Sequence, residues 1–136
     1  MTGLLTCLYT DHNPQELRRE LKDTLESVND LLLLAFLDDY PVGLAHTSIR
    51  HDYVEGASTH ERCAYLEAIY VDPDFRLQGI ARGLTCRCEE WSHARDCRLF
   101  ASDCELDNKE SEDFHKSMGF QEVSRNIHFI KEIELR

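Results

Sequence analysis

The sequence has no apolar run near the roughly 20 residues that a membrane-crossing helix needs. Its longest, Leu31 to Leu37, stops at Asp38-Asp39. The start, Met1-Thr-Gly-Leu-Leu-Thr-Cys, lacks the basic residues and small-residue cleavage site of a secretory signal, so a cytoplasmic protein without membrane contact is expected. There are six cysteines (Cys7, Cys63, Cys86, Cys88, Cys97, Cys104), and no two of them have C-x-x-C spacing. In a reducing compartment they read as small packing residues with free thiols. The seven histidines include no H-E-x-x-H or comparable ligand spacing, so no metal is expected. Positive charge is scarce too. Fifteen Lys and Arg face 26 Asp and Glu, a net charge of −11 that repels phosphate backbones and argues against a nucleic-acid partner. Repeats, low-complexity tracts and Pro/Ser-rich linkers are absent.

What remains fits one folded domain spanning 1–136, with 42% hydrophobic and 30% charged residues. The acidic excess has two open readings, solubility or attraction of a cationic substrate, and charge alone does not choose between them. Leu17, Leu21, Leu25 and Val28 recur at helical spacing after Asn13-Pro14, which predicts a helix from Pro14 to Val28. Leu31–Leu37 and Val42–Ile49 read as a hairpin turning at Asp38 to Pro41, and Cys63–Val71 as a further strand ended by Asp72-Pro73. Ile80, Leu84, Cys88 and Trp91 predict a helix over Ile80 to Ala94. A strand from Arg98 to Cys104, a helix from Asn108 to Met118 stopped by Gly119, and strands over Phe120–Val123 and Ile127–Ile133 complete the order. That order predicts an α/β fold with a mixed sheet.

The segment Tyr65-Leu-Glu-Ala-Ile-Tyr-Val-Asp-Pro-Asp-Phe-Arg-Leu-Gln-Gly-Ile-Ala carries the chemistry. A strand runs into the turn Arg76-x-x-Gly79-x-Ala81 and then into a helix. The first turn of a helix presents unpaired N–H groups and partial positive charge, which suit a diphosphate. Gly79 lets the main chain come close, small Ala81 leaves room beside it, and Arg76 and Arg82 add charge-assisted bonds.

This pattern resembles the GCN5-related N-acetyltransferase superfamily, whose acetyl-CoA signature is (Arg/Gln)-x-x-Gly-x-(Gly/Ala). Phe100-Ala-Ser-Asp-Cys-Glu-Leu-Asp-Asn108 and Phe114-His-Lys-Ser-Met-Gly-Phe120 stand where that family has its next strand and helix. Tyr65 to Val71, Leu106-Asp-Asn, Met118-Gly-Phe-Gln-Glu and Ser48-Ile-Arg-His-Asp-Tyr-Val-Glu-Gly are similar more specifically to short, dimeric aminoglycoside 6′-N-acetyltransferases.

The resemblance implies a mixed, mostly antiparallel sheet flanked by helices, with acetyl-CoA as co-substrate and a cationic aminoglycoside as acceptor. It also implies a homodimer, with which the alternating Ile127, Phe129 and Ile133 are compatible through a shared or exchanged strand. By the same resemblance Ile69, Tyr70 and Val71 lie along the pantetheine arm, Arg76, Leu77, Gln78, Gly79, Ile80 and Ala81 form the diphosphate turn, and Asn108 reaches the arm. Tyr9, Tyr53, Glu67 and Asp103 fall at substrate-contact positions. An ammonium must lose a proton before it attacks a thioester. Glu67 is therefore the expected amine-binding carboxylate and base. His115 stands where many members of the superfamily carry a tyrosine that protonates the leaving sulfur; a helix-surface histidine without a role is the other reading. The family's first strand is expected to be missing, since the chain opens inside the first helix, and the acidic contact after the last helix falls near Ser124, with Glu122 two residues earlier. A polyamine or other small-amine acetyltransferase, or a CoA-binding module without catalysis, remain the alternatives.

Overall fold

A computed structural model describes residues 27–51, 54–57 and 62–134. The predicted helix from Pro14 lies outside the described residues except for its last positions. The chain divides into two compact units, one ending at Asp103 and the other starting at Cys104.

The first unit holds a four-stranded sheet in the order β1 (Asp30–Leu37), β2 (Tyr40–Arg50), β3 (Cys63–Val71) and β4 (Leu99–Ala101). The β1–β2 and β2–β3 pairings are antiparallel and β3–β4 is parallel. The fold is thus the mixed, mostly antiparallel one expected. The hairpin is tighter than predicted, because Leu37 pairs Tyr40 across a two-residue loop. Asp38 and Asp39 both take positive φ (48° and 70°), the backbone that matches strand twist in such a turn and that aspartate tolerates.

A single 3-10 turn (Pro73–Phe75) leads from β3 to helix α1 (Ile80–Ala94), which returns the chain to β4. The helix buries Leu84, Thr85, Cys88 and Ser92. Leu84 and Cys88 meet Ala45 and Leu66 in the core, with Leu31, Leu33, Ala35, Ile69, Ile80 and Phe100 packed around them. A second cluster joins Ile49, Ala64 and Cys97 to Trp91 and Phe100. The two buried hydroxyls on α1 are satisfied one turn back, Thr85 Oγ1 donating to Ala81 O and Ser92 Oγ to Cys88 O, each at 2.8 Å. A Cβ on Gly43 of β2 would lie 3.1 Å from both Ile80 Cγ2 and Leu84 Cδ1, so its absence lets the helix sit down on the sheet.

The second unit contains helix α2 (Lys109–Ser117). Asn108 Oδ1 caps it by accepting from Ser111 N at 3.0 Å, and Gly119, at φ 93°, follows its last turn. Arg125 pairs with Glu112 at 2.8 Å and with Glu122, which ties the following residues back to α2.

Beyond Gly119 the structure corrects the sequence reading. Residues 120–134 form no strand. Alternation predicts an extended backbone, but a strand exists only as part of a hydrogen-bonded ladder, and no described strand pairs with this segment. Its large apolar side chains face outward instead, Ile127, Phe129 and Ile133 being 76%, 90% and 84% exposed.

Candidate active site

The site begins with a parity change along β3. Ala64 and Leu66 point into the core ahead of position 67, whereas Ile69 does so after it. The register explains the switch. His46 pairs Ala68 and Thr47 pairs Leu66, so Glu67 is the extra residue of a β-bulge. On the β2 side the period of two sends Thr47 and Ile49 inward and leaves His46, Ser48 and Arg50 half-buried on the opposite face.

Glu67 is held there from two sides. Ser48 Oγ donates to Oε1 at 2.6 Å, and Arg50 closes a two-pronged contact, Nε to Oε1 at 3.0 Å and Nη2 to Oε2 at 2.9 Å. Burial on its own would raise the Glu67 pKa. The hydrogen bonds from Arg50 and Ser48 and the positive charges of Arg50 and His46 outweigh it and hold the carboxyl below its ordinary value. His46 Nε2 itself meets Asp30 Oδ1 of β1 at 2.8 Å.

The guanidinium of Arg50 also lies over the Tyr65 ring, 3.5 Å from its centroid. Tyr65 donates its hydroxyl to Asp103, just past β4. Burial first, then that hydrogen bond and the Asp103 charge, push the Tyr65 pKa far up, so the phenol stays protonated. The structure therefore brings two of the expected substrate residues, Glu67 and Asp103, into one network with Ser48, Arg50 and Tyr65.

The neighbouring edge of β3 is open. Its pairing with β4 ends at Tyr65↔Ala101, so over residues 66–71 no described strand runs along that side. Ile69, Tyr70 and Val71 lie on this stretch, paired to Ala45, Leu44 and Gly43 of β2 on the other side only. An extended ligand with amide groups can use such an edge as an added strand would.

Immediately after it comes the turn. Arg76 Nε donates to Val71 O at 3.0 Å and fastens the turn to the strand end. Asp72 accepts from Asp74 N at 3.0 Å and caps the 3-10 turn. Leu77 (φ 63°) and Gly79 (φ 81°) are both left-handed, and Gly79 is the N-cap of α1. A glycine cap has no side chain to bond the first N–H groups, and the first turn holds no acidic residue. Gln78 is exposed and Ala81 half-buried, while the Ile80 side chain belongs to the core, so only its backbone is available to a ligand. An uncapped helix start with no competing anion has the chemistry of a diphosphate site.

In the second unit the Asn108 carbonyl oxygen is committed to capping α2. His115 Nδ1 lies 2.7 Å from the Ser111 carbonyl oxygen, which can only accept, so Nδ1 carries the hydrogen. Any proton that His115 gives up must come from Nε2. Its ring packs edge-on against Phe114 and Phe120. Tyr9 and Tyr53 lie outside the described residues, and Ser124 and Glu122 belong to the segment after α2.

Sequence reasoning assigned no role to Ser48, Arg50 or Tyr65. The signal was present in the alternation of polar His46, Ser48 and Arg50 along an otherwise apolar strand, a pattern that puts three polar side chains on one face. Among the described residues no three His, Cys, Asp or Glu side chains are grouped to hold a metal, and no helix is long and apolar enough to cross a membrane. Cys63, Cys88 and Cys97 are buried, and Cys86 and Cys104 exposed.

Comparison with known proteins agrees with this geometry. The chain is 39% identical over 132 residues to the aminoglycoside N(6′)-acetyltransferase type 1 of Acinetobacter genomosp. 13, covering 96% of this chain and 89% of that protein. The solved structure of aminoglycoside 6′-N-acetyltransferase AAC(6′)-Ih from Acinetobacter baumannii matches with a TM-score of 0.87 at 36% identity, over 98% of this chain and 90% of that one. AAC(6′)-Iy, solved with the bisubstrate analogue CoA-S-monomethyl-acetylneamine, matches with a TM-score of 0.90 at 32% identity, over 97% and 89%. The model of the acetyltransferase (GNAT) family matches residues 1–120. With an uncapped Gly79 helix start beside an open β3 edge, the chain belongs to the acetyltransferase (GNAT) family.

Proposed function

We propose that the chain is an aminoglycoside 6′-N-acetyltransferase that moves the acetyl group of acetyl-CoA onto the 6′-amine of an aminoglycoside by direct attack in a ternary complex. The observation that carries the reading is the fixed, ionised Glu67 on the β3 bulge, next to the open strand edge and turn that fit the co-substrate. The residues suit acetyl-CoA: Ile69, Tyr70 and Val71 for the pantetheine arm, Arg76, Leu77, Gln78, Gly79, Ile80 and Ala81 for the diphosphate, and Asn108 for the arm as well. When bound, it supplies a thioester whose carbonyl carbon the free amine attacks, the C–N bond forming as C–S breaks.

Glu67 receives the substrate's ammonium and takes its proton on the way to solvent. A carboxyl held below its ordinary pKa is a good anchor for a cation but a weak base, so the proton goes on to water and does not rest on Glu67. Asp103 adds a second negative contact, and Tyr9 and Tyr53 line the sugar. His115, after taking a second proton from solvent at Nε2, gives that proton to the departing sulfur. The chain is a single acetyltransferase domain over 1–136 that works in the cytoplasm, confers resistance where the gene is expressed, and requires no metal.

The protein acts as a homodimer in which a second copy covers the apolar side chains of the segment after α2. Its exposed Ile127, Phe129 and Ile133 are what support that reading. Sedimentation equilibrium should give a dimer mass for the wild type and a monomer for Phe129→Asp.

Thiol release from acetyl-CoA should follow addition of kanamycin or tobramycin and stay at background with spermidine or a simple primary amine. Turnover with the polyamine but not the antibiotics would replace the substrate assignment. Calorimetric CoA binding with no acetylation of any amine would leave only a binding module.

A further inference from the structure

Glu67 is more constrained than an amine-binding carboxylate needs to be. A carboxylate has about four acceptor positions, two on each oxygen. Ser48 Oγ and Arg50 Nε fill both on Oε1, and Arg50 Nη2 fills one on Oε2. Among the described residues one acceptor position remains unfilled, on Oε2. The same guanidinium rests face-on over Tyr65, whose hydroxyl is given to Asp103, so its plane is fixed by contacts on two sides. Its side chain is one-third exposed and that of Glu67 one-quarter, so the pair lies at the site's surface and not in the core.

We propose that Arg50 is a positioning residue for the acetyl transfer, orienting Glu67 so that the substrate's ammonium is received at Oε2 alone and in a fixed relation to Asp103. This rests on the aminoglycoside reading above. Arg50 touches neither of the reacting atoms; it acts through Glu67 and Tyr65. A bidentate arginine fixes both the direction and the ionisation of its carboxylate, which a lysine, a point charge, does only for the ionisation. Among the described residues the charged and titratable groups around Glu67 are His46 and Arg50 from β2, Asp30 from β1 through His46, Tyr65 on its own strand, and Asp103 past β4 through Tyr65.

The test is steady-state kinetics with tobramycin and acetyl-CoA varied separately across pH, for the wild type, Arg50→Gln and Arg50→Lys. Arg50→Gln should raise KM for tobramycin about tenfold, the loss expected for a charge-assisted contact, and leave KM for acetyl-CoA unchanged. Its kcat/KM should also fall off at higher pH than in the wild type, because Glu67 without its cation protonates earlier as pH drops. Arg50→Lys should restore the position of that acid limb but not the full tobramycin KM. If Arg50→Gln does not fold, Ser48→Ala takes its place and should shift both quantities in the same direction by less. Wild-type turnover with an unmoved acid limb and an unmoved tobramycin KM in the variants would overturn the role of Arg50 and leave the function intact. An equal rise in both KM values would do the same, since it marks a structural defect. No turnover of any aminoglycoside by the wild type would overturn both.

Discussion

Glu67 gains its role from neighbours that no local stretch of sequence contains. Ser48 and Arg50 are 19 and 17 residues away and meet it only because β2 and β3 pair antiparallel across the bulge. The carboxylate itself was legible through the family resemblance, whereas alternation put Ser48 and Arg50 on one face of β2 without saying that they meet Glu67, since pairing register is a property of two strands. The clamp has a consequence for stability. The folded pKa of Glu67 lies below its ordinary 4.5, so its contribution is fully present above that value and is lost as pH falls through the folded pKa. Glu67→Gln should therefore flatten the acid side of the stability curve below about pH 4.5, measured by thermal melting, and should cut kcat/KM by roughly a hundredfold or more. Thr47, fully buried on the other face of β2, behaves oppositely. Its hydroxyl makes no hydrogen bond of good geometry among the described residues; the Cys88 thiol beside it is a weak partner. Burial pushes that thiol's pKa up, against the effect of Thr47, so Cys88 is a packing residue. Thr47→Val should stabilise the protein by about 1 kcal/mol, or roughly 3 °C in melting temperature, with activity unchanged.

The strand, turn and helix from Cys63 to Ala94 were readable because every signal there is local: an apolar run, Asp72-Pro73, a glycine at the cap and apolar residues at helical steps. The segment after Gly119 was not, because alternation predicts an extended backbone without saying what pairs with it. Two substitutions separate the work of these pieces from their stability. Gly79→Ala meets no atom within 4 Å, so its penalty is the left-handed φ of 81°, about 1 kcal/mol. It should raise KM for acetyl-CoA severalfold more than KM for the aminoglycoside, since the diphosphate is the part proposed to bind at this turn. At the start of α2, Asn108→Asp keeps the oxygen that caps Ser111 and loses the amide donor. It should melt near the wild type yet bind CoA more weakly by calorimetry, whereas Asn108→Ala should lose about 1 kcal/mol of stability as well. Equal CoA affinity in Asn108→Asp and wild type would confine Asn108 to capping.

Under the proposed function the net charge of −11 has a use, because a field of that sign draws in a polycation. Encounter should then be screened by salt, with kcat/KM for tobramycin falling steadily as ionic strength rises and kcat staying nearly constant. A flat salt profile would return the acidic excess to a role in solubility. The sequence could state the charge but not its purpose, because net charge does not say where on the fold the carboxylates gather. The account as a whole stands on acetyl transfer to one nitrogen, and the most direct measurement is the structure of the product. Mass spectrometry and NMR of tobramycin incubated with acetyl-CoA and the wild-type protein should show one added acetyl group, on the 6′-nitrogen, and none with Glu67→Ala. Unmodified tobramycin, or an acetyl group on a different nitrogen, would contradict it.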